Sequence, residues 1–233
     1  MTRTMILATM TAAMAVTSLA TAKEMTADKR IDHAASALAE MVSTNDNGIP
    51  VQLINKAQCI VIVPGLIKGA FLFGGKRGRG FASCRKPHGG WTAPAAVAIE
   101  GGSFGPQLGA SSTDLIMLVM NKNGMKHLLA DKFTLGADIA TVQGMTGKDA
   151  SVNMDATGRA AILTYSHAKG LFSGISLEGA TLRTDSGENK KLYGQAMNNK
   201  QILDTNGKGV PAPLATKPLM TALIKLAPKT KKA

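Results

Sequence analysis

One stretch of the sequence has the spacing of a catalytic nucleophile, the G-x-S-x-G pattern around Ser103. In hydrolases this pattern sets the serine on a sharp turn between a strand and a helix. Residues 95–99 predict the strand, but Gly105 and Pro106 do not start a stable helix after it. The pattern therefore indicates a glycine turn, and we predict that the protein is not an enzyme.

The histidines and carboxylates do not have the spacing of a metal site or an acid–base pair. No histidine lies four residues from another or within an H-E-x-x-H motif, so we predict no metal and no cofactor. Asp114 and Asp138 border apolar runs, where a carboxylate usually caps a turn or accepts backbone N–H groups. The four histidines are His33, His88, His127 and His167.

Basic residues give the clearest indication of a binding function. No acidic residue occurs between Asn47 and Ile99, and hairpin turns are expected to gather the cations of this stretch. One interpretation is a solvated basic face. The other is a site for phosphate head groups, where each basic residue adds about 1 kcal/mol near an anionic surface. The six candidate head-group ligands are Lys68, Lys76, Arg77, Arg79, Arg85 and Lys86.

Four large apolar residues near these cations have two interpretations as well. Phe71, Leu72, Phe73 and Trp91 either insert shallowly into a membrane beside the basic residues or belong to the core. Aromatics make up only 4% of the chain, too few for a nucleic-acid surface that stacks bases. We therefore predict a peripheral contact with anionic lipids and no contact with nucleic acid.

The composition of the chain limits the classes of protein to which these sites could belong. The chain has 233 residues, 45% of them hydrophobic, which is typical of a globular protein. Lys and Arg number 27 against 15 Asp and Glu, and the net charge of +12 favours anionic partners. With two cysteines, the chain is neither a disulfide-dense scaffold nor a Cys₄ zinc protein.

The first 22 residues have the pattern of an export signal. Arg3 supplies a positive charge, residues 5–19 form an uncharged apolar run, and residues 20–22 fit the small-x-small cleavage rule. We expect a mature chain that starts at Lys23 and lies in the periplasm or outside the cell. The alternative, a membrane anchor, needs a longer and more apolar run. No cysteine follows the cleavage site to accept a lipid.

Export also bears on Cys59 and Cys84, which each lie at one end of a β-rich run. In an oxidising compartment two neighbouring antiparallel strands would let them pair, which stabilises the fold by about 3 kcal/mol. The alternative is two buried free thiols.

The chain between these sites predicts an α+β fold. Residues 24–44 have helical apolar spacing, and residues 58–184 hold short β-rich runs separated by glycine-rich or polar turns, such as residues 74–78. We predict an antiparallel sandwich or barrel-like sheet covered by the N-terminal helix, with short helices near 124–132, 186–193 and 219–226. The domain is placed at 23–199. We expect the Lys- and Pro-rich tail at 200–233 to make a second, looser contact with lipid.

Ordered motifs over about residues 30–195 resemble the SYLF domain family of lipid-binding and actin-binding domains. They include 57–64 (AQCIVIVP), 90–94 (GWTAP), 101–109 (GGSFGPQLG), 112–115 (STDL), 169–174 (KGLFSG) and 177–180 (LEGA). The resemblance implies a non-enzymatic lipid-binding domain, whose eukaryotic members bind phosphoinositides and in some cases actin filaments. An exported member would meet neither ligand in the cytosol. The alternative function is an envelope interaction protein that docks a protein or a polyanionic glycan.

Overall fold

An antiparallel sheet and the helices packed on it make up most of the described chain. The computed structural model describes residues 25–43, 48–71, 73–104, 109–136, 140–143, 150–154, 160–169, 177–206 and 209–226. The helices are α1 (Ala27–Ser43), α2 (Val51–Lys56), α3 (Lys122–Leu128), α4 (Ser186–Tyr193), α5 (Asn199–Ile202) and α6 (Lys217–Leu226). The strands are β1 (Cys59–Phe71), β2 (Phe73–Cys84), β3 (Ala95–Phe104), β4 (Gly109–Val119), β5 (Lys132–Thr134), β6 (Ala140–Gln143), β7 (Ala150–Met154), β8 (Ala160–Lys169) and β9 (Thr181–Thr184).

The described strands form one sheet in the order β5-β9-β3-β2-β1-β4-β8-β7-β6. Every neighbouring pair is antiparallel. This arrangement confirms the predicted α+β class, with an antiparallel sheet covered by an N-terminal helix. The hairpin of β1 and β2 lies at the centre, so its residues have neighbours on both sides.

Alternation along the strands divides the core between two faces of the sheet. On the disulfide face, defined by Cys59, Val61 and Val63, buried residues pack with Leu128 of α3 and Ile202 of α5. On the helix face, defined by Ile60, Ile62 and Phe81, buried residues pack with α1, α2 and α6.

Helix α1 is the predicted cover of the sheet, and its buried residues confirm that prediction. Ile31, Ala34 and Leu38 are fully buried at helical spacing. Helix α6 matches the short helix predicted at 219–226, and its Leu219 and Leu223 belong to the same core cluster as α1. None of the described helices has the length and apolar character needed to span a membrane. The predicted export signal and the last lysines lie outside the described residues.

The glycine-rich stretches at 74–78 and 101–104 were expected to form turns, and that expectation is wrong. Both lie inside strands, in β2 and β3, and β1 and β2 stay paired as far as Phe71 and Phe73. These glycines allow close packing between neighbouring strands and do not form a turn of the chain. A Cβ on Gly78 would lie 2.7 Å from Val63 Cγ1, and a Cβ on Gly80 would overlap the carbonyl oxygen of Ile62.

The close packing at Gly78 and Gly80 arises from a bulge in β1. The pairing with β4 shifts by one residue between Val63 and Leu66, and the pairing with β2 shifts over the same segment. The bulge contains Pro64, which has no N–H for the ladder, and Gly65, whose φ of +62° suits glycine. Strand β1 therefore continues through this bulge as one long strand up to Phe71.

Candidate anion-binding site

Two lysines lie opposite each other at the far end of the central hairpin. Lys68 of β1 is the register partner of Lys76 of β2, Lys68 is flanked on β4 by Ser111, and Lys76 is flanked on β3 by Gly101. We call these four residues the lysine row. Leu66, two residues before Lys68, is part of the disulfide-face core, and so the lysine row occupies the disulfide face just beyond that core.

The electrostatics of the lysine row favour an anion. Lys76 is only 6% exposed, and burial together with the charge of Lys68 lowers its pKa, while Glu178 acts in the opposite direction. Like charges directly opposite each other on neighbouring strands destabilise a sheet. Glu178 offsets part of that repulsion at Lys76, and an anion that contacts both ammonium groups would relieve it further. The backbone of Ala180 packs over Gly101, where an added Cβ would lie 2.9 Å from the Ala180 Cα.

Arg77 and Arg79 lie on the helix face, because Arg79 is two residues from the buried Phe81. Arg79 Nε donates to Asp185 Oδ2 at 2.6 Å, and Arg77 Nε lies 4.0 Å from Glu100 Oε1. Arg183 on β9 also binds Glu100, with Nη2 at 2.8 Å from Oε1. The exposed pair of Arg77 with Glu100 is weak, whereas the short contact with buried Asp185 occupies the guanidinium of Arg79.

The pKa shifts of these acids agree with ion pairing. The hydrogen bond from Arg183 lowers the pKa of Glu100 and raises that of Arg183. Burial by itself would raise the pKa of Asp185, but the hydrogen bonds from Arg79 and from the Glu188 amide lower it overall. Both carboxylates are therefore charged at neutral pH, and they offset the positive charges of the arginines beside them.

Arg85 and Lys86 lie at the opposite end of β2 from Lys76. Nine residues separate Lys76 from Arg85, about 30 Å along a strand. Arg85 Nε donates to the carbonyl oxygen of Ala57 at 3.1 Å, its guanidinium stacks 4.4 Å from the Trp91 ring, and burial lowers its pKa. Arg85 thus supports the fold, whereas Lys86 is exposed to solvent.

The structure therefore does not gather the six predicted cations into one patch. Sheet alternation sends Lys76 and Arg77 to opposite faces, and the length of β2 separates both from Lys86. It brings Lys68 and Lys76 together on the disulfide face, and it leaves Arg77 and Arg79 on the helix face beside Glu100 and Asp185. Sequence reasoning missed Ser111 and Gly101, which become neighbours of the lysines through strand pairing. The local signal for this rearrangement was Pro64-Gly65, directly after the β-rich run that begins at Cys59.

The apolar residues predicted to insert into a membrane, and the serine of the G-x-S-x-G pattern, can now be placed in the fold. Trp91 is 4% exposed and part of the core, which corrects its candidacy for membrane insertion. Phe71 and Phe73 are register partners at the end of the hairpin, and Phe73 is also paired with Phe104. Leu72 lies outside the described residues. Within the described ranges, strand β3, which contains Ser103, is followed by strand β4 rather than by the helix of a nucleophile elbow.

The histidines are dispersed over the described chain. His167 Nε2 lies 3.4 Å from Glu40 Oε1, the His127 ring lies 5.8 Å from that of Phe133, and His33 and His88 are exposed. Among the described residues, no three His, Cys, Asp or Glu side chains lie close enough together to hold a metal ion. Asp138 lies outside the described residues.

Cys59 and Cys84 form the disulfide that the sequence predicts in preference to free thiols. They are register partners on β1 and β2, and their Cα atoms lie 3.9 Å apart. Both are fully buried. The bridge fixes the pairing of the hairpin at the end opposite the lysine row.

A family model described as Ysc84, Las17-binding protein actin regulator, matches residues 100–226, more than half of the chain. The chain belongs to this family. The match includes Gly101 and Ser111 of the lysine row and extends through α6. The resemblance inferred from the sequence motifs is thereby confirmed.

Individual members of the Ysc84 family align with most of the chain. LAS seventeen-binding protein 3 of Saccharomyces cerevisiae is 33% identical over 198 residues, which cover 82% of this chain and 42% of that protein. SH3 domain-containing YSC84-like protein 1 of Bos taurus is 34% identical over 167 residues, 70% of this chain and 49% of that protein. The chain spans less than half the length of these relatives. No solved structure matches it significantly.

Proposed function

We propose that this chain is a non-enzymatic domain that docks peripherally on anionic lipid head groups, with the lysine row as its head-group site. The observation that carries the proposal is the opposition of Lys68 and Lys76, two cations paired across neighbouring strands, with Lys76 largely buried. The names of the relatives describe binding and regulation, which supports a binding domain.

Binding to vesicles tests the proposal with a matched pair of variants. The Lys68→Gln/Lys76→Gln variant removes both charges of the lysine row. The Lys122→Gln/Lys126→Gln variant removes two exposed charges from α3, which follows the other end of β4. Flotation with phosphatidylcholine vesicles, with and without phosphatidylglycerol, is measured at low and high salt. We expect the first variant to bind anionic vesicles about 30-fold more weakly, at about 1 kcal/mol for each lysine, and the second to bind like the unaltered chain.

Three results would contradict the proposal. Equal binding to neutral and anionic vesicles would exclude recognition of charge, and binding that does not weaken in high salt would do the same. An equal loss of binding in both double variants would show a general effect of net charge rather than a site at the lysine row.

A second candidate function is binding of a protein partner, favoured by the printed names of the relatives, which describe Las17 binding and actin regulation. Co-sedimentation with actin filaments in the absence of lipid, and a pull-down with purified Las17, test this alternative. Binding to either protein that the Lys68→Gln/Lys76→Gln variant retains would favour a protein interface outside the lysine row.

We also propose that the chain acts in the periplasm or outside the cell. A buried disulfide is typical of proteins from oxidising compartments, and residues 1–22 have the pattern of an export signal. Cell fractionation followed by N-terminal sequencing should recover a chain that starts at Lys23. Recovery of the uncleaved chain from the cytoplasm would contradict this proposal.

A further inference from the structure

The bulge in β1 decides on which face Lys68 lies. Val63 pairs with Leu115 and Leu66 pairs with Thr113, so Pro64 and Gly65 together stand opposite one residue of β4, Asp114. Val63 and Leu66 belong to the same core cluster on the disulfide face although three positions separate them. Regular alternation would put residues three apart on opposite faces. The extra residue at the bulge therefore brings Leu66, and with it Lys68, onto the disulfide face.

Asp114 holds this bulge in place. Its side chain is buried, at 6% exposure, and its Oδ1 accepts a hydrogen bond from the Gly65 N–H at 2.8 Å. Gly65 has the left-handed φ of +62°, and a Cβ there would approach nothing closer than Ser112 Oγ at 3.6 Å. Gly65 itself is thus held by its backbone conformation and a carboxylate acceptor, whereas Val63 and Leu66 on either side of the bulge pack closely against Gly78.

We propose that Asp114 is the positioning residue of the lysine row: its carboxylate pins the bulge at Pro64–Gly65 and so keeps Lys68 opposite Lys76. The inference rests on the proposed function for its biological meaning, but not for its geometry. Without the acceptor, the extra residue can move along β1 toward the hairpin end. A bulge that has moved past Lys68 turns that side chain to the helix face, because each one-residue shift reverses the faces.

Cross-linking between positions 68 and 76 measures whether the two side chains lie on the same face, and it needs no ligand. In a chain with Lys68→Cys and Lys76→Cys, dibromobimane becomes fluorescent when it bridges the two new thiols, while the Cys59–Cys84 disulfide stays intact. Added substitutions then test the anchor. Asp114→Asn keeps an oxygen acceptor for the Gly65 N–H, and Asp114→Leu removes it. Ser83→Ala is the structural control, because it removes a buried hydrogen bond of 2.8 Å to the Thr92 carbonyl away from the bulge.

We expect bridging at the unaltered rate in Asp114→Asn and Ser83→Ala, and a loss of at least tenfold in Asp114→Leu. Gly65→Val provides a second way to displace the bulge without deleting a buried acid, since a β-branched residue disfavours a positive φ. It should lower bridging in the same way. Unaltered bridging in folded Gly65→Val or Asp114→Leu, or a loss of bridging in Asp114→Asn, would overturn the proposal.

Vesicle binding of the Asp114→Leu chain, with both lysines present, separates this inference from the proposed function. A fall to the level of Lys68→Gln/Lys76→Gln supports both. Loss of bridging with unaltered vesicle binding supports the positioning role of Asp114 and refutes the lysine row as the docking site.

Discussion

Replacing Lys76 by methionine should stabilise the protein and weaken its binding to anionic membranes at the same time. Methionine preserves the length of the side chain and removes a charge that is 6% exposed and opposite Lys68. Because burial and the Lys68 charge lower the pKa of Lys76 below 10.5, against the effect of Glu178, the charged form of this lysine is less favourable in the folded state than in the unfolded chain.

The expected size of the effect follows from the register. Favourable cross-strand pairs contribute about 0.2–1 kcal/mol and like charges directly opposite each other destabilise; on the same scale, we expect Lys76→Met to raise the free energy of unfolding by up to about 1 kcal/mol at pH 7. Loss of one lysine near an anionic surface should weaken vesicle binding by about 1 kcal/mol, roughly fivefold. Stability and binding would therefore change in opposite directions.

Urea unfolding and vesicle flotation measure the two effects, with Lys122→Met on exposed α3 as the control. The stabilisation should be greatest below the lowered pKa of Lys76. As pH rises from that value toward 10.5, the unfolded chain keeps the proton longer than the folded chain does, and the unaltered protein recovers the difference. A fall in the free energy of unfolding by more than about 1 kcal/mol, with vesicle binding unchanged, would refute the interpretation of Lys76 as an anion ligand held at a cost in stability.

Two further predictions concern the hairpin itself. Reduction of the disulfide should lower the free energy of unfolding by about 3 kcal/mol, as expected for a closed loop of this length, and a shift below about 1 kcal/mol in urea unfolding would show that the bridge contributes little. Gly80→Ala should destabilise by at least about 2 kcal/mol, since its Cβ would overlap the Ile62 carbonyl oxygen, whereas Gly102→Ala has open space and should change stability by less than about 0.5 kcal/mol. Thermal or urea unfolding compares the two, and equal stability of both variants would contradict the close packing inferred at the bulge.

Local patterns predicted several elements correctly because their signals lie in consecutive residues. The apolar spacing of α1 is a local feature, and α1 and α4 occur at the positions predicted from the sequence. The pairing of Cys59 with Cys84 also followed from two β-rich runs near each other in the chain. The turn predicted at residues 74–78 is wrong because glycine serves a turn and a close strand contact equally well.

Local sequence patterns were sufficient to predict the fold class, the covering helix, the basic character and the cysteines available for a bridge. Which cations lie side by side depends on strand pairing, because one extra residue at Pro64–Gly65 sets the face of Lys68 and the neighbouring strands supply its partners. Arg79 forms an ion pair with Asp185, which lies 106 residues away in the chain. The face of a side chain depends on the parity of every residue before it in the strand, and its partner depends on contacts between distant segments, so no local pattern encodes either.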